Sequence, residues 1–184
     1  MLVQNAAIKA NFPLYLELVA ALKTPEDNPV VLSIKPNHRL RLAGSIALLS
    51  PVDTNVHLLA EKAVNSASHY GLKIQARNLC PHPIIRFEAD GPRHHNPMDK
   101  LPLVERFVDT PHFHRFNEDG YEFAYRIDAF KNPQVVVEVQ QGINNGLRYF
   151  CEEGKVASTP PLGIAETQLE FPPKEYDPLE GVRF

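Results

Sequence analysis

Apolar and polar residues alternate along several short segments of the chain. From Arg39 to Leu42, arginine and leucine occupy alternate positions, which is typical of a half-buried β-strand with one polar face. The turn-forming residues Pro36 and Asn37 precede this segment and separate it from another extended run. The pattern predicts strands over residues 30–35, 39–49, 72–77 and 84–88. It also predicts a hairpin of residues 113–116 and 121–127, because Asp119-Gly120 suits a tight turn.

Other segments repeat their apolar residues at the spacing of three and four that marks an amphipathic helix. One helix is predicted over residues 14–23. The clearest is predicted over residues 54–70, where Asp53 or Thr54 can cap the N-terminus and Gly71 ends the helix. A third is predicted over residues 132–153, although the valine run 135–137 would also suit a strand.

The composition is that of an ordinary globular domain. The chain has 184 residues, of which 43% are hydrophobic and 22% are charged, so one domain with a genuine core is expected. A strand-rich centre between helices predicts an α+β domain over residues 1–154, with a mainly antiparallel sheet and helices packed on one face. Residues 155–184 are predicted to form an extended proline-rich C-terminal segment, because five prolines interrupt it.

The overall charge of the chain makes some classes of binding partner less suitable than others. A formal net charge of −3 argues against a protein that coats nucleic acid or an anionic membrane through its overall field. No apolar run reaches the roughly 20 residues that cross a bilayer, and the N-terminus lacks the features of a secretory signal. With Cys80 and Cys151 expected to stay reduced, these features predict a cytoplasmic protein without a membrane partner.

Histidines cluster in the centre of the chain, where His94, His95, His112 and His114 lie within one short stretch. His112 and His114 are two residues apart, so on a strand both imidazoles project from one face. A neighbouring strand can bring Glu88 or His94 beside them. Neutral imidazole and carboxylate are ligands for zinc and other transition metals, so His112 and His114 are candidate metal ligands.

Two other interpretations of the same stretch remain open. Imidazoles can act as acid and base without a metal, and guanidinium groups and aromatic rings would then hold the phosphates and bases of RNA. Alternatively, histidines that flank turns bond to backbone carbonyl groups and have a structural role only. The residues proposed for catalysis are His94, His95, His112, His114 and Glu88. Those proposed for substrate binding are Arg86, Arg115, Tyr121 and Tyr125.

The order of these residues resembles a known family. Arg86-Phe87-Glu88, then Pro92 with the pair His94-His95, then Pro111-His112-x-His114 is similar to the motif of TumE-type toxins of bacterial toxin–antitoxin modules. It is also similar to related uncharacterised proteins from phage and mobile-element neighbourhoods. The likeness covers about a quarter of the chain, and Glu88 stands where those families prefer aspartate. The residues that carry it are Arg86, Glu88, His94, His95, His112 and His114.

The resemblance implies a toxin-like protein of a toxin–antitoxin or mobile-element system that acts on RNA as a ribonuclease and is held by an antitoxin. No cofactor is required in that interpretation, whereas the metal interpretation adds zinc or another divalent ion. The alternative is a non-enzymatic module that binds a protein partner through its proline-rich tail and uses its histidine cluster structurally or for a metal.

Overall fold

The computed structural model describes residues 4–26, 29–97 and 105–165, and these residues form one large sheet, a small two-stranded ribbon and several helices. The strands are β1 (Thr24–Pro25), β2 (Val30–Lys35), β3 (His38–Leu49), β4 (Val56–Ala63), β5 (Tyr70–Ala76), β6 (Pro83–Glu88), β7 (His94–His95), β8 (Phe107–Val108), β9 (His112–Phe116), β10 (Glu122–Tyr125) and β11 (Leu162–Ile164). The α-helices are α1 (Ala6–Ala10), α2 (Phe12–Ala20), α3 (Pro133–Gln140) and α4 (Ile143–Glu153), and a 3₁₀ helix spans Asp128–Lys131.

The large sheet is mainly antiparallel. Its strand order is β10-β9-β6-β5-β4-β3-β2-β11, and β1 pairs with β3 beside this path. Only the last neighbours in this order, β2 and β11, run parallel. Strands β7 and β8 form the separate antiparallel ribbon. The predicted α+β class with a mainly antiparallel sheet is confirmed.

The helices cover one face of this sheet, and the core lies between the two layers. Phe87 and Phe113 are cross-strand neighbours on β6 and β9, both fully buried, and both rings contact Phe150 of α4. At the other end of the layer, the Tyr15 hydroxyl of α2 donates to the Ile84 carbonyl oxygen. The opposite face of the sheet, called the open face below, carries the alternate residues of each strand, among them Lys73, Arg86 and Glu88.

The prediction of a helix over residues 54–70 is wrong, because the chain forms strand β4 and a turn there. Val56, Leu58 and Ala60 alternate onto the core face and are almost fully buried. Because apolar residues also lie on the other face, the spacing of apolar residues in this segment is compatible with both a helix and a strand. Pairing with β3 and β5 on its two sides overrides the local helix propensity. Asp53, expected as a helix cap, accepts instead from the backbone N–H of Asn55.

The other predicted elements are found with shifted limits. The helix predicted over residues 14–23 ends at Ala20, and α1 precedes it. The helix predicted over residues 132–153 is divided into α3 and α4 at Gln141 and Gly142. The predicted strands correspond to β2, β3, β5 and β6, and the predicted hairpin is formed by β9 and β10. Gly120 provides the positive φ of its turn.

The chain beyond residue 154 continues in the same sheet. Val156 is buried in the core and forms a parallel bridge with Lys23, and β11 extends the sheet beside β2. The remainder of the predicted proline-rich segment, residues 166–184, lies outside the described residues. No helix in the described ranges is both long and apolar enough to span a membrane.

Candidate metal centre

Strands β6 and β9 place four polar side chains on the open face. In their antiparallel register Arg86 is opposite His114, and Glu88 is opposite His112. Because side chains alternate along a strand, all four project to the same side, away from the phenylalanines of the core. His112 and His114 are nevertheless almost completely buried, at 0% and 1% exposure. Another segment of the chain must therefore cover the two histidines on the open face.

The ribbon of β7 and β8 forms that cover and brings His94 over the two histidines. The His94 ring lies 4.8 Å from that of His114 and 5.9 Å from that of His112, measured between centroids. The turn that leads from β6 to the ribbon contains Gly91 with a φ of 146°, a value that favours glycine. Ala124 of β10 lies opposite His114, and its small side chain takes little of the space beside the rings.

Asn96 fastens the ribbon to the edge of the large sheet. Its side chain is completely buried. The amide Nδ2 donates to the carbonyl oxygens of Ala124 (2.8 Å) and Glu105 (2.7 Å), and Oδ1 accepts from the Ala124 N–H (2.9 Å). The side chain thus pairs with β10 as a further strand would. Because His94 is two residues away in the same extended segment, Asn96 fixes where His94 lies.

The three imidazoles converge with nitrogen atoms facing one another. Each of His94, His112 and His114 offers one ring nitrogen, and these three nitrogens lie within 4.8 Å of one another. The buried Nε2 atoms of His94 and His112 have no hydrogen-bond partner in the described part of the chain. The Nδ1 of His112 lies 3.3 Å from the carbonyl oxygen of Asp109. Of the two neutral tautomers of His112, one donates from Nδ1 to this carbonyl and presents a lone pair at Nε2, and the other donates from Nε2 to Glu88.

A carboxylate oxygen faces the same point. Glu88 Oε2 lies 3.5 Å from His112 Nε2 and 3.9 Å from His114 Nε2. Two ligand atoms of a tetrahedral zinc ion are about 3.4 Å apart, given bonds of about 2.1 Å. The Glu88–His112 separation therefore matches the edge of such a site. Three imidazoles are a ligand set of catalytic zinc sites, whose fourth position holds water, whereas a carboxylate as fourth ligand would make the site structural.

Arg86 balances the carboxylates around the cluster. Its Nη1 lies 3.3 Å from Glu88 Oε1, and its Nη2 lies 3.1 Å from Glu122 Oε2. The same Nη2 is 3.1 Å from Nδ1 and 3.4 Å from Nε2 of His114. A donor aligned with one ring nitrogen would lie much farther from the other, so the guanidinium group lies over the ring. It leaves the in-plane lone pair of His114 accessible.

The surroundings favour the neutral imidazoles of His94 and His114 and the ionised carboxylate of Glu88. Burial, reinforced by the charge of Arg86, lowers the pKa of His114 to about 2. Burial also lowers the pKa of His94. The contact with His112 and the charge of Arg86 lower the pKa of Glu88 to about 2. Neutral imidazole and ionised carboxylate are the forms that bind metal ions.

A cavity of about 600 Å³ opens beside the cluster. Arg86, His94 and Glu122 line it on the side of the histidines, and Lys73 lines it farther along the sheet. Burial raises the pKa of Glu122. A smaller cavity of about 280 Å³ on the other side of Arg86 shares Lys73 and Arg86. The cleft beside the cluster thus carries two cationic side chains, and both are paired with carboxylates, Lys73 with Glu61 and Arg86 with Glu88 and Glu122.

The structure brings together five of the nine residues proposed from the sequence: Arg86, Glu88, His94, His112 and His114. His95 is adjacent to His94 but lies on the opposite face of the ribbon, where its ring contacts Phe107. The predicted metal pair His112–His114 gains His94 as a third imidazole.

Two proposed substrate-binding residues lie on the wrong side of the sheet. The Arg115 guanidinium is 2.7 Å from the Glu153 carboxylate of α4 and lies over the Tyr125 ring. The Tyr125 hydroxyl donates to the same carboxylate. Arg115 is two residues from Phe113 on β9, and Tyr125 is opposite Phe113 on β10. Both side chains therefore project to the same face as Phe113, towards the helices. Tyr121 lies in the hairpin turn, where its N–H donates to Asn117 Oδ1, and it is not part of the cluster.

Sequence analysis missed Asn96, Glu122 and Lys73. Glu122 and Lys73 follow from strand parity once the register is known, since Glu122 is two residues from Ala124 opposite His114, and Lys73 lies opposite Arg86. Asn96 gives no such signal, because its role depends on how the ribbon folds over β10.

Comparisons with known proteins provide no relative for this site. No family model matches the chain, and no curated protein or solved structure matches it. The resemblance to TumE-type toxins therefore stays a prediction from the motif.

Proposed function

We propose that this protein is a metal-dependent hydrolase in which His94, His112 and His114 bind the ion and Glu88 lies beside the fourth position, which a water molecule would occupy. The observation that carries the proposal is the convergence of three imidazole nitrogens within 4.8 Å of one another, with the Glu88 carboxylate beside His112 and His114. In the His112 tautomer with the proton on Nδ1, the lone pair of Nε2 faces an ionised carboxylate. Two acceptor atoms at this separation are stabilised by a nearby cation.

The same arrangement argues against catalysis by the histidines alone. An acid–base pair needs imidazoles that gain and lose protons near neutral pH. Because burial lowers the pKa of His114 to about 2, this ring stays neutral across the physiological range. A neutral buried imidazole is a poor acid and a good metal ligand.

A zinc-class ion at this point would lower the pKa of a bound water to about 7 and so supply a hydroxide nucleophile. The cleft beside the centre gives a substrate access to that water. Arg86 and Lys73 line the cleft and would hold an anionic group of the substrate. We propose a phosphodiester, and specifically RNA, as that substrate. An antitoxin partner and a cytoplasmic location belong to the same proposal through the motif's resemblance to toxins.

The metal content of the purified protein tests this proposal. Protein prepared without a polyhistidine tag and without chelators is analysed by inductively coupled plasma mass spectrometry. We expect about one zinc-class ion per chain, and its loss in the variants His94→Ala and His114→Gln. The variant His95→Ala is the matched control, because it removes a neighbouring imidazole from the other face of the ribbon and should keep the metal.

Circular dichroism shows whether each variant remains folded. A folded wild-type protein that binds no transition metal would refute the proposal. So would a His95→Ala variant that loses the metal as completely as His94→Ala does.

A structural metal site is a second candidate, because His112 and His114 are almost completely buried. In that case the ion would stabilise the attachment of the ribbon to the sheet, and the ligand set would leave no position for water. Removal of the metal would then lower the melting temperature sharply. RNA cleavage by the metal-loaded protein, abolished by Glu88→Gln, would favour the catalytic site.

A further inference from the structure

The ribbon of β7 and β8 has two different faces. His94 and Val108 are paired in its register, and so are His95 and Phe107. The first pair is half-buried or buried and faces the sheet, whereas the second pair is exposed. One face therefore belongs to the candidate metal centre, and the other is directed away from it.

The outward face combines aromatic and cationic groups. Phe107 is 51% exposed. The guanidinium carbon of Arg106 lies 5.3 Å from the centre of its ring, and that of Arg93 lies 5.7 Å from it. The His95 ring is tilted by 32° against Phe107 at a centroid distance of 5.0 Å. These four residues, Arg93, His95, Arg106 and Phe107, are called the outer patch.

We propose that the outer patch binds single-stranded nucleic acid. Unpaired bases stack on aromatic rings and on guanidinium planes, and arginines bind the phosphates between them. Phe107 is exposed and lies beside two arginines and an imidazole, so one small surface offers both kinds of contact. A base-paired duplex would not fit it, because stacking on a side chain requires an unstacked base.

The ion pairs of the patch do not prevent this binding. Arg93 Nε lies 2.6 Å from Asp109 Oδ1, but both side chains are more than half exposed. Exposed ion pairs contribute little stability, so a phosphate can replace the carboxylate at modest cost. The other arginine, Arg106, donates from Nε to a ring nitrogen, His95 Nε2. The protein's overall charge of −3 makes the patch a local site within an acidic molecule.

The patch deepens the proposed function, and it rests on that function for its biological meaning. His94 and His95 are adjacent residues, so the patch and the metal centre are separated only by the thickness of the ribbon. A strand bound at the outer patch is thereby held close to the cleft that leads to the centre.

Fluorescence anisotropy with a labelled single-stranded oligoribonucleotide of about eight nucleotides tests the patch. The protein is kept in EDTA so that binding is measured without metal and without cleavage. We expect Phe107→Ala to weaken binding about tenfold. Arg106→Gln should also weaken it and flatten the dependence on salt, since one phosphate contact is lost.

The matched control is Arg148→Gln, which removes an exposed cation–π contact with Tyr149 on α4, remote from the ribbon. It should bind as the wild-type protein does. Undiminished binding by both Phe107→Ala and Arg106→Gln would overturn the proposal. Equal weakening by Arg148→Gln, or equally tight binding of a duplex of the same length, would also overturn it. The metal content of the protein is measured separately, so failure here is distinguishable from failure of the metal centre.

Discussion

The two faces of strand β9 show how one short segment divides between folding and chemistry. Towards the helices it presents Phe113, which stacks with Phe130 and Phe150, and Arg115, which pairs with Glu153. Towards the open face it presents His112 and His114. Arginine occurs on both sides, since Arg86 lies beside the histidines. Residue type therefore does not identify the site, whereas the alternation of side chains along the strand does.

The comparison also separates two ways of burying polar groups. On the helix-covered face, Arg115 pairs with the Glu153 carboxylate and stabilises the attachment of α4, although its own Nε is buried without a hydrogen-bond partner in the described residues. On the open face, His94 and His112 keep buried ring nitrogens with no hydrogen-bond partner in the described residues. Such groups cost stability, and the proposed metal would satisfy the two imidazole nitrogens, which converge with that of His114.

The largest effect is expected from Phe113→Ala on the helix-covered face. Its ring is fully buried among other aromatic rings, so truncation should lower the free energy of unfolding by about 3–5 kcal/mol. Urea denaturation followed by circular dichroism measures this change. A loss below about 1 kcal/mol would mean that Phe113 is not part of a packed core.

Asn96→Ala should affect the open face instead. Without the amide pairing to Ala124, the ribbon loses its attachment and His94 its fixed position, so zinc affinity should fall about 10–100-fold. Competition titration with a chromophoric chelator measures the affinity. The control is Asn78→Ala, which removes a hydrogen bond to Asp53 far from the ribbon and should leave the affinity unchanged. Equal affinity in wild type and Asn96→Ala would refute this role.

Acid should destabilise the metal-free protein through His114. Its pKa is about 2 when folded and 6.5 as the ordinary value, so between these values the unfolded chain binds a proton that the folded chain does not. Stability therefore falls as the pH falls below about 6.5, by at most about 1.4 kcal/mol per pH unit from this residue. Glu88, with its pKa lowered from 4.5, adds to the fall only below about pH 4.5.

Denaturation in EDTA at several pH values between 6.5 and 4.5 measures this slope. His114→Gln should have a flatter slope than the wild-type protein. Identical slopes would show that His114 is not held neutral in the folded state.

The smallest effect is expected from Arg115→Gln. Arg115 and Glu153 are both about one quarter exposed, so loss of the pair should lower the free energy of unfolding by about 1 kcal/mol. Metal content should not change, because Arg115 lies on the other face of the sheet. A loss of bound metal in this variant would contradict the division of β9 into two faces.

The sequence was sufficient to predict most strands, the β9–β10 hairpin and the histidines on one strand face, because these features depend on local alternation and turn residues. It was insufficient at residues 54–70, where the spacing of apolar residues is compatible with both a helix and a strand. The pairing of β4 with strands on both sides determines that a strand forms. It also assigned Arg115 and Tyr125 to the site by closeness in sequence, which ignores parity. Asn96 and the completely buried Lys23, whose amine donates to the carbonyl oxygens of Ala21 and Gly154, depend on tertiary contacts.

The most direct test of the metal centre is a crystal structure with anomalous diffraction measured at the zinc absorption edge. The account predicts one strong anomalous peak on the open face, within about 2.0–2.2 Å of a nitrogen of each of His94, His112 and His114, with Glu88 beyond bonding distance and a water in the fourth position. Crystals grown with zinc that show no peak among these residues, or only peaks at other histidines such as His95, would contradict it.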